Sequence, residues 1–152
     1  VDLKLNGDFY LQTLMELLKV KEQVEGLVDF DGKITGPLSN LSGKAKARLR
    51  NGNLFSVDID SLSCEVLYHD GVMKFEKGDA LLYNGTAQAD ASLNLPGAEF
   101  FTLNVKFKST DSSAALKLIG WEPEIPEGKV DGELSTSGSQ FNPDGWFVYK
   151  SE

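Results

Sequence analysis

The chain has 152 residues, of which 41% are hydrophobic and 25% charged, so it can bury a real core as an ordinary globular domain. A net charge of −8 without any basic block argues against nucleic acid as a partner and against a polybasic lipid contact. One cysteine, Cys64, excludes an internal disulfide, and one histidine, His69, leaves little to build a metal site from.

No run approaches the ~20 apolar residues of a membrane-spanning helix. The chain starts without Met and without a secretory leader, so it is expected to be a piece of a longer protein or a mature fragment. Val1, Leu3 and Leu5 alternate with Asp2, Lys4 and Asn6, which is the pattern of a half-buried strand. "YLQTLMELLK" then changes period: Leu11, Leu14, Met15 and Leu18 share one face of a short helix, with Asp8 placed to cap it. From "VEGLVDFDGKITG" onward the period is two. Val28, Phe30 and Ile34 share one side, and Asp29, Asp31 and Lys33 the other. "GKAKARLR" sets Ala45, Ala47 and Leu49 against Lys44, Lys46, Arg48 and Arg50, and "NGN" at 51–53 reads as a turn.

Phe55, Val57 and Ile59 follow in one phase. The phase slips near Ser61, giving Leu62, Cys64, Val66 and Tyr68, as a bulge or a corner would. "HDGV" is a tight hairpin, then come Met73 and Phe75, and "KGD" reads as another turn. Leu81, Tyr83, Ala87, Ala89, Ala91, Leu93 and Leu95 have one parity, which predicts a single strand about 15 residues long where roughly 5–6 is usual. After "PGAEF" the residues Leu103, Val105 and Phe107 form the next strand.

The chain then begins to repeat itself. "EGLVDFDGKITG" at 25–36 returns as "EGKVDGELSTSG" at 127–138, an offset of 102. Ten of fifty offset pairs are identical without a gap, and "SSAALKLIG" falls where the first helix was, with Leu116 on Leu14. Trp146 falls on the position of Lys44. The expected organisation is one module, residues 1–102, and the first half of a second, residues 103–152, in one continuous domain.

These strands are long, amphipathic and joined by hairpins, so they are antiparallel. A mainly β fold follows, a long and strongly curved antiparallel sheet with one or two short helices. A lipid-facing barrel would need the reverse sidedness, and Lys44, Lys46, Arg48 and Arg50 on one face argue against it. The candidates for catalysis are few. Asp29 with Asp31 and Asp58 with Asp60 are carboxylate pairs on the solvated face, His69 is a turn residue, and Cys64 has inward parity. None is expected to carry a reaction, and no cofactor is implied.

The order of a helix, "EGLVDFDGKITG", "NLSGKAKARLRNGNL", a central strand pair and "YNGTAQADASLNL" resembles the repeats of the AsmA-like and TamB proteins of Gram-negative envelopes. That resemblance covers essentially the whole chain. It implies a periplasmic protein tethered at the inner membrane, whose repeats stack into an open hydrophobic β-groove that conducts phospholipid toward the outer membrane. It implies three kinds of partner: acyl chains, neighbouring repeats of the same chain and, for TamB-type members, an outer-membrane β-barrel. Under it the lipid-facing residues would be Val28, Phe30, Ile34, Ala45, Ala47, Leu49, Phe55, Val57, Ile59, Val66, Tyr68, Phe75, Leu81, Tyr83, Ala87, Ala89, Ala91, Leu93, Val105 and Phe107. The alternative is a scaffold module that binds outer-membrane protein strands along its sheet edges.

Overall fold

The computed structural model describes residues 1–17, 24–54, 57–95, 100–113, 128–139 and 142–151. Among them nine strands form one antiparallel sheet in chain order: β1 (Asp2–Tyr10), β2 (Val24–Thr35), β3 (Ser42–Leu54), β4 (Val57–His69), β5 (Val72–Leu82), β6 (Gly85–Asn94), β7 (Phe101–Asp111), β8 (Lys129–Ser139) and β9 (Asn142–Ser151). One helix, α1 (Leu11–Leu17), follows β1 and packs on β1 and β2. Leu11, Leu14 and Met15 are its half-buried face, and Leu17 points away. Asp8 does not cap it: β1 runs on to Tyr10, and Asp8 sits inside the strand opposite Asp29. Phe55, the second expected helix with Leu116, and Leu18 lie outside the described residues.

The chain reverses through two-residue turns whose central residues have positive φ, as the twist of paired strands demands. Asp70 (φ 48°) and Gly71 (φ 73°) join β4 to β5 as the hairpin expected at "HDGV", but His69, expected in the turn, is the last residue of β4 and pairs with Val72. Tyr83 (φ 49°) and Asn84 (φ 58°) join β5 to β6. This second turn overturns the single strand expected from Leu81 to Leu95. Leu81, the last but one residue of β5, lies opposite Thr86 and is 51% exposed, while Ala80 and Leu82 take the inner positions.

The expected turns at "NGN" and "KGD" are not turns. "NGN" lies within β3, where Asn51 (φ 47°) is the extra residue between the Leu27–Arg50 and Glu25–Asn53 pairs. "KGD" lies within β5, where Lys77 (φ 53°) is the extra residue between the Phe75–Ala91 and Gly78–Ala89 pairs. Each is a bulge. One inserted residue exchanges the faces of everything downstream, which is why Phe75 and Ala80 share a side although their spacing is odd. A third bulge at Ser109 (φ 52°) in β7 has the same construction. Lys77 N–H donates to Asp90 Oδ1 at 3.1 Å, and Ser109 N–H donates to Asp131 Oδ1 at 2.9 Å. The strand-side slip near Ser61 is present as expected, with Ile59 and Leu62 both turned inward.

The offset of 102 is visible in the pairing. Val130↔Ser151 through Ser137↔Asp144 in β8–β9 are Val28↔Leu49 through Thr35↔Ser42 of β2–β3 moved by 102 positions. Trp146 faces Ser135 as Lys44 faces Lys33. The β7–β8 pair differs from β1–β2 by a slip of two residues, Leu103 pairing with Thr136 where Val1 meets Gly36. A slip of two leaves every side chain on its own face.

Candidate functional site

Register carries the alternation of single strands across the whole sheet. Ile34, Gly43, Tyr68, Met73, Leu93 and Phe101 are successive partners in one row. Gly32, Ala45, Val66, Phe75, Ala91 and Leu103 form the next row. Phe30, Ala47 and Cys64 begin a third, and Gly78, Ala89 and Val105 continue it past the bulge. Val28, Leu49, Leu62, Ala80, Ala87 and Phe107 make a fourth.

Burial divides this face along the strands. In the fourth row Val28, Leu49, Ala87 and Phe107 are no more than 6% exposed, and Ile59 beyond it is also buried. Ala80, Leu82, Ala87, Phe107 and Val130 form a cluster, with Val57, Leu62, Tyr83 and Val105 packed against it. These residues are core. Toward the other end Phe30, Ile34, Ala45, Ala47, Val66, Tyr68, Phe75, Ala89, Ala91 and Leu93 are only half-buried. The expected set of twenty is therefore split. Five are sealed, Val57, Tyr83 and Val105 flank the core, ten are half-open, Leu81 lies on the opposite face, and Phe55 is not described. Tyr83 holds its place through its hydroxyl, which accepts from Asp58 N–H at 3.2 Å.

The opposite face is charged. Lys33 pairs with Asp2 at 3.0 Å, Glu65 with Lys77 at 3.0 Å and Lys44 at 3.4 Å, and Arg50 binds Asp29. The Lys77 ammonium, hydrogen-bonded to Glu65, holds that carboxyl below its usual range. Asp8 and Asp29 face each other directly. Their shared hydrogen bond raises Asp8 and lowers Asp29, and Arg50 lowers Asp29 further. The larger concavity, about 720 Å³, opens over this seam between Asp8, Asp29, Arg48 and Glu65. A second of about 490 Å³ lies between Lys74, Glu76, Asp90 and Asn104. Both lie along the charged rows.

Burial pushes the Cys64 thiol up, away from a thiolate. Asp58 and Asp60 are exposed, as expected. Ser42 Oγ lies 2.8 Å from His69 Nδ1, and His69 Nε2 lies 3.5 Å from Asp70. The Ser–His contact was not foreseen, because it depends on the β3–β4 register. The His69 side chain is 64% exposed at a hairpin end, where the contact fastens the turn to its neighbour. No group of three metal-ligating side chains occurs among the described residues.

The fold and its faces define a class, an antiparallel meander in chain order, open at both edges, with its core gathered at one end. Set against known proteins, the chain matches no family model, no curated protein and no solved structure.

Proposed function

We propose that the chain is a non-catalytic segment of a periplasm-spanning, membrane-anchored protein, and that its half-open face shields acyl chains while phospholipid moves between inner and outer membranes. The observation that carries the reading is the continuity of the rows through Ile34, Ala45 and Ala89: apolar or small side chains meet across strand after strand and stay half-exposed. A sheet face of this kind needs a second layer. Each acyl methylene leaving water gains about 0.8 kcal/mol, so a lipid chain is a suitable one and requires no specific polar contact. The sealed row at Val28 and Phe107 forms one margin of the path, and neighbouring repeats extend it beyond the edges.

A second reading rests on a different observation. Among the described residues β1 and β9 are the outermost strands, and sheet edges of this kind bind strands of other proteins. Photo-crosslinking residues separate the two. Placed at Phe30, Ala89 and Leu93 in a bacterial envelope, they are expected to capture phospholipid, while Lys46 and Asp90 are not. Equal labelling of both faces would overturn the lipid reading, and capture of outer-membrane protein by residues placed in β1 would favour the scaffold.

A further inference from the structure

The half-open face ends differently at its two margins along the strands. On β2, β3, β4, β6 and β7 the first row lies six residues from the fourth. On β5 seven residues separate Met73 from Ala80, and the bulge at Lys77 takes up the extra one, so Ala80 falls in line between Leu62 and Ala87. The fourth row is thus level across six strands, and Val28, Leu49, Ala80, Ala87 and Phe107 in it are buried. At the other margin the hairpin ends are polar and open. The His69 and Asp70 side chains are 64% and 72% exposed, and Asn94 is exposed as well. Between these margins the second and third rows, from β2 to β7, hold no charged or hydroxyl-bearing side chain. Polarity on this face therefore changes along the strands and not across them.

We infer that the fourth row is a floor that sets the length of acyl tail this face accepts. The inference rests on the lipid reading above and deepens it. Tails lie along the strands, with their methyl ends against Val28, Leu49, Ala87 and Phe107 and the polar head beyond the hairpin ends. A tail laid across the strands would hold its head against two wholly apolar rows, where a phosphate finds no donor. Laid along them, an amphiphile meets polar groups at one end and packed side chains at the other.

The dimensions agree. Six residues of strand make the band about 20 Å deep. The tails of one bilayer leaflet fill about half of a hydrocarbon core ~30 Å thick. One tail of ordinary length thus spans the band. A longer one runs into side chains that already fill their space, and moving those costs about 1–3 kcal/mol for an overpacked core. The depth is measured along the strands, so it does not depend on what lies beyond β1 or β9.

Lysophosphatidylcholines with saturated tails of eight to twenty carbons test it, their affinity for the whole chain read by displacement of a fluorescent fatty acid. Each added methylene should tighten binding about fourfold until the extended tail measures about 20 Å, and further ones should add less than about twofold. Ala47→Phe combined with Ala89→Phe raises the floor by one row on the half-open side. It should move the break to tails about 7 Å shorter, the length of two strand residues. Lys46→Phe, on the charged face, should leave the break in place. Affinity that keeps rising fourfold per methylene to the longest tail would overturn the floor and leave the lipid reading standing. So would a break that stays put in a folded double variant, since one caused by micelle formation would not move. No binding of any tail at millimolar concentration would overturn both. The series on the unaltered chain decides by itself if the double variant does not fold.

Discussion

Three non-glycine residues inside strands, Asn51, Lys77 and Ser109, sit near φ +50°, and at two of them a carboxylate receives the amide that leaves the ladder. A left-handed L-residue costs about 1–2 kcal/mol, and glycine removes that cost at about 0.5–1 kcal/mol of chain entropy. Ser109→Gly should therefore stabilise by about 0.5 kcal/mol, while Ser109→Val should destabilise. Paired urea titrations check both. Asp131→Ala removes the acceptor and should cost about 1 kcal/mol in the same titrations. Acid acts on other carboxylates. Asp111, held by Lys129 Nζ at 2.6 Å and Asn84 Nδ2 at 2.7 Å, lies below its ordinary range, as does Glu65. A lowered folded-state value contributes stability above the unfolded carboxylate range, about pH 4, and loses it as pH falls below. Denaturation midpoints should fall through that window, and Asp111→Asn should flatten part of the slope.

At the scale of elements, bulges and glycines decide which side chains reach the core. Gly132 of β8 lies opposite Phe107 of β7, and a Cβ there would sit 2.7 Å from Phe107 Cε2. Gly132→Ala should displace the ring and cost about 1–3 kcal/mol, with loss of near-UV dichroism or shifted Phe107 resonances as the check. The β5 bulge has a larger consequence. Deleting Lys77 would turn Ala80 and Leu82 to the charged face and bring Asp79 and Leu81 inward, and hydrogen exchange should then show β5 and β6 unprotected. Simple retention of protection would mean that the extra residue has no part in setting the phase.

For the molecule as a whole, the uneven burial of one face separates an open surface from a finished core. Ala89 lies on the half-open side, with Gly78 and Val105 as partners. An arginine there can bend its head toward water, so Ala89→Arg should leave the domain folded with a small loss of stability. Ala87→Arg, in the sealed row, should unfold it, because an unpaired buried charge costs several kcal/mol, comparable to the stability of a domain. Thermal melts of the two variants make the comparison. Unfolding by both would mean that the face is closed in solution. Under the lipid reading, the folded Ala89 variant should also lose lipid crosslinking.

The sequence by itself determined the local periods. Alternation marked β1–β4, the first part of β5, β6 and β7 and placed Phe30, Ala45, Ala47, Val66, Ala89 and Leu103 on one side, the offset of 102 marked β8, the i, i+3, i+4 spacing marked α1, and Asp70–Gly71 marked its turn. These follow from bonded geometry within a few residues. The remainder required the partner strand. "NGN" and "KGD" contain the residues of a turn, but positive φ serves a bulge equally well, and only the count of residues on the facing strand tells the two apart. Leu81 falls on the other face because the chain reverses at Tyr83–Asn84, which ends the parity it shares with Ala87–Leu95, and an aromatic residue at φ 49° is a weak turn signal. The meeting of Asp8 with Asp29, and of Ser42 with His69, joins residues 21 and 27 positions apart. Such contacts, and the division of one face into a sealed and a half-open part, depend on pairing and covering between distant segments, which no local period encodes.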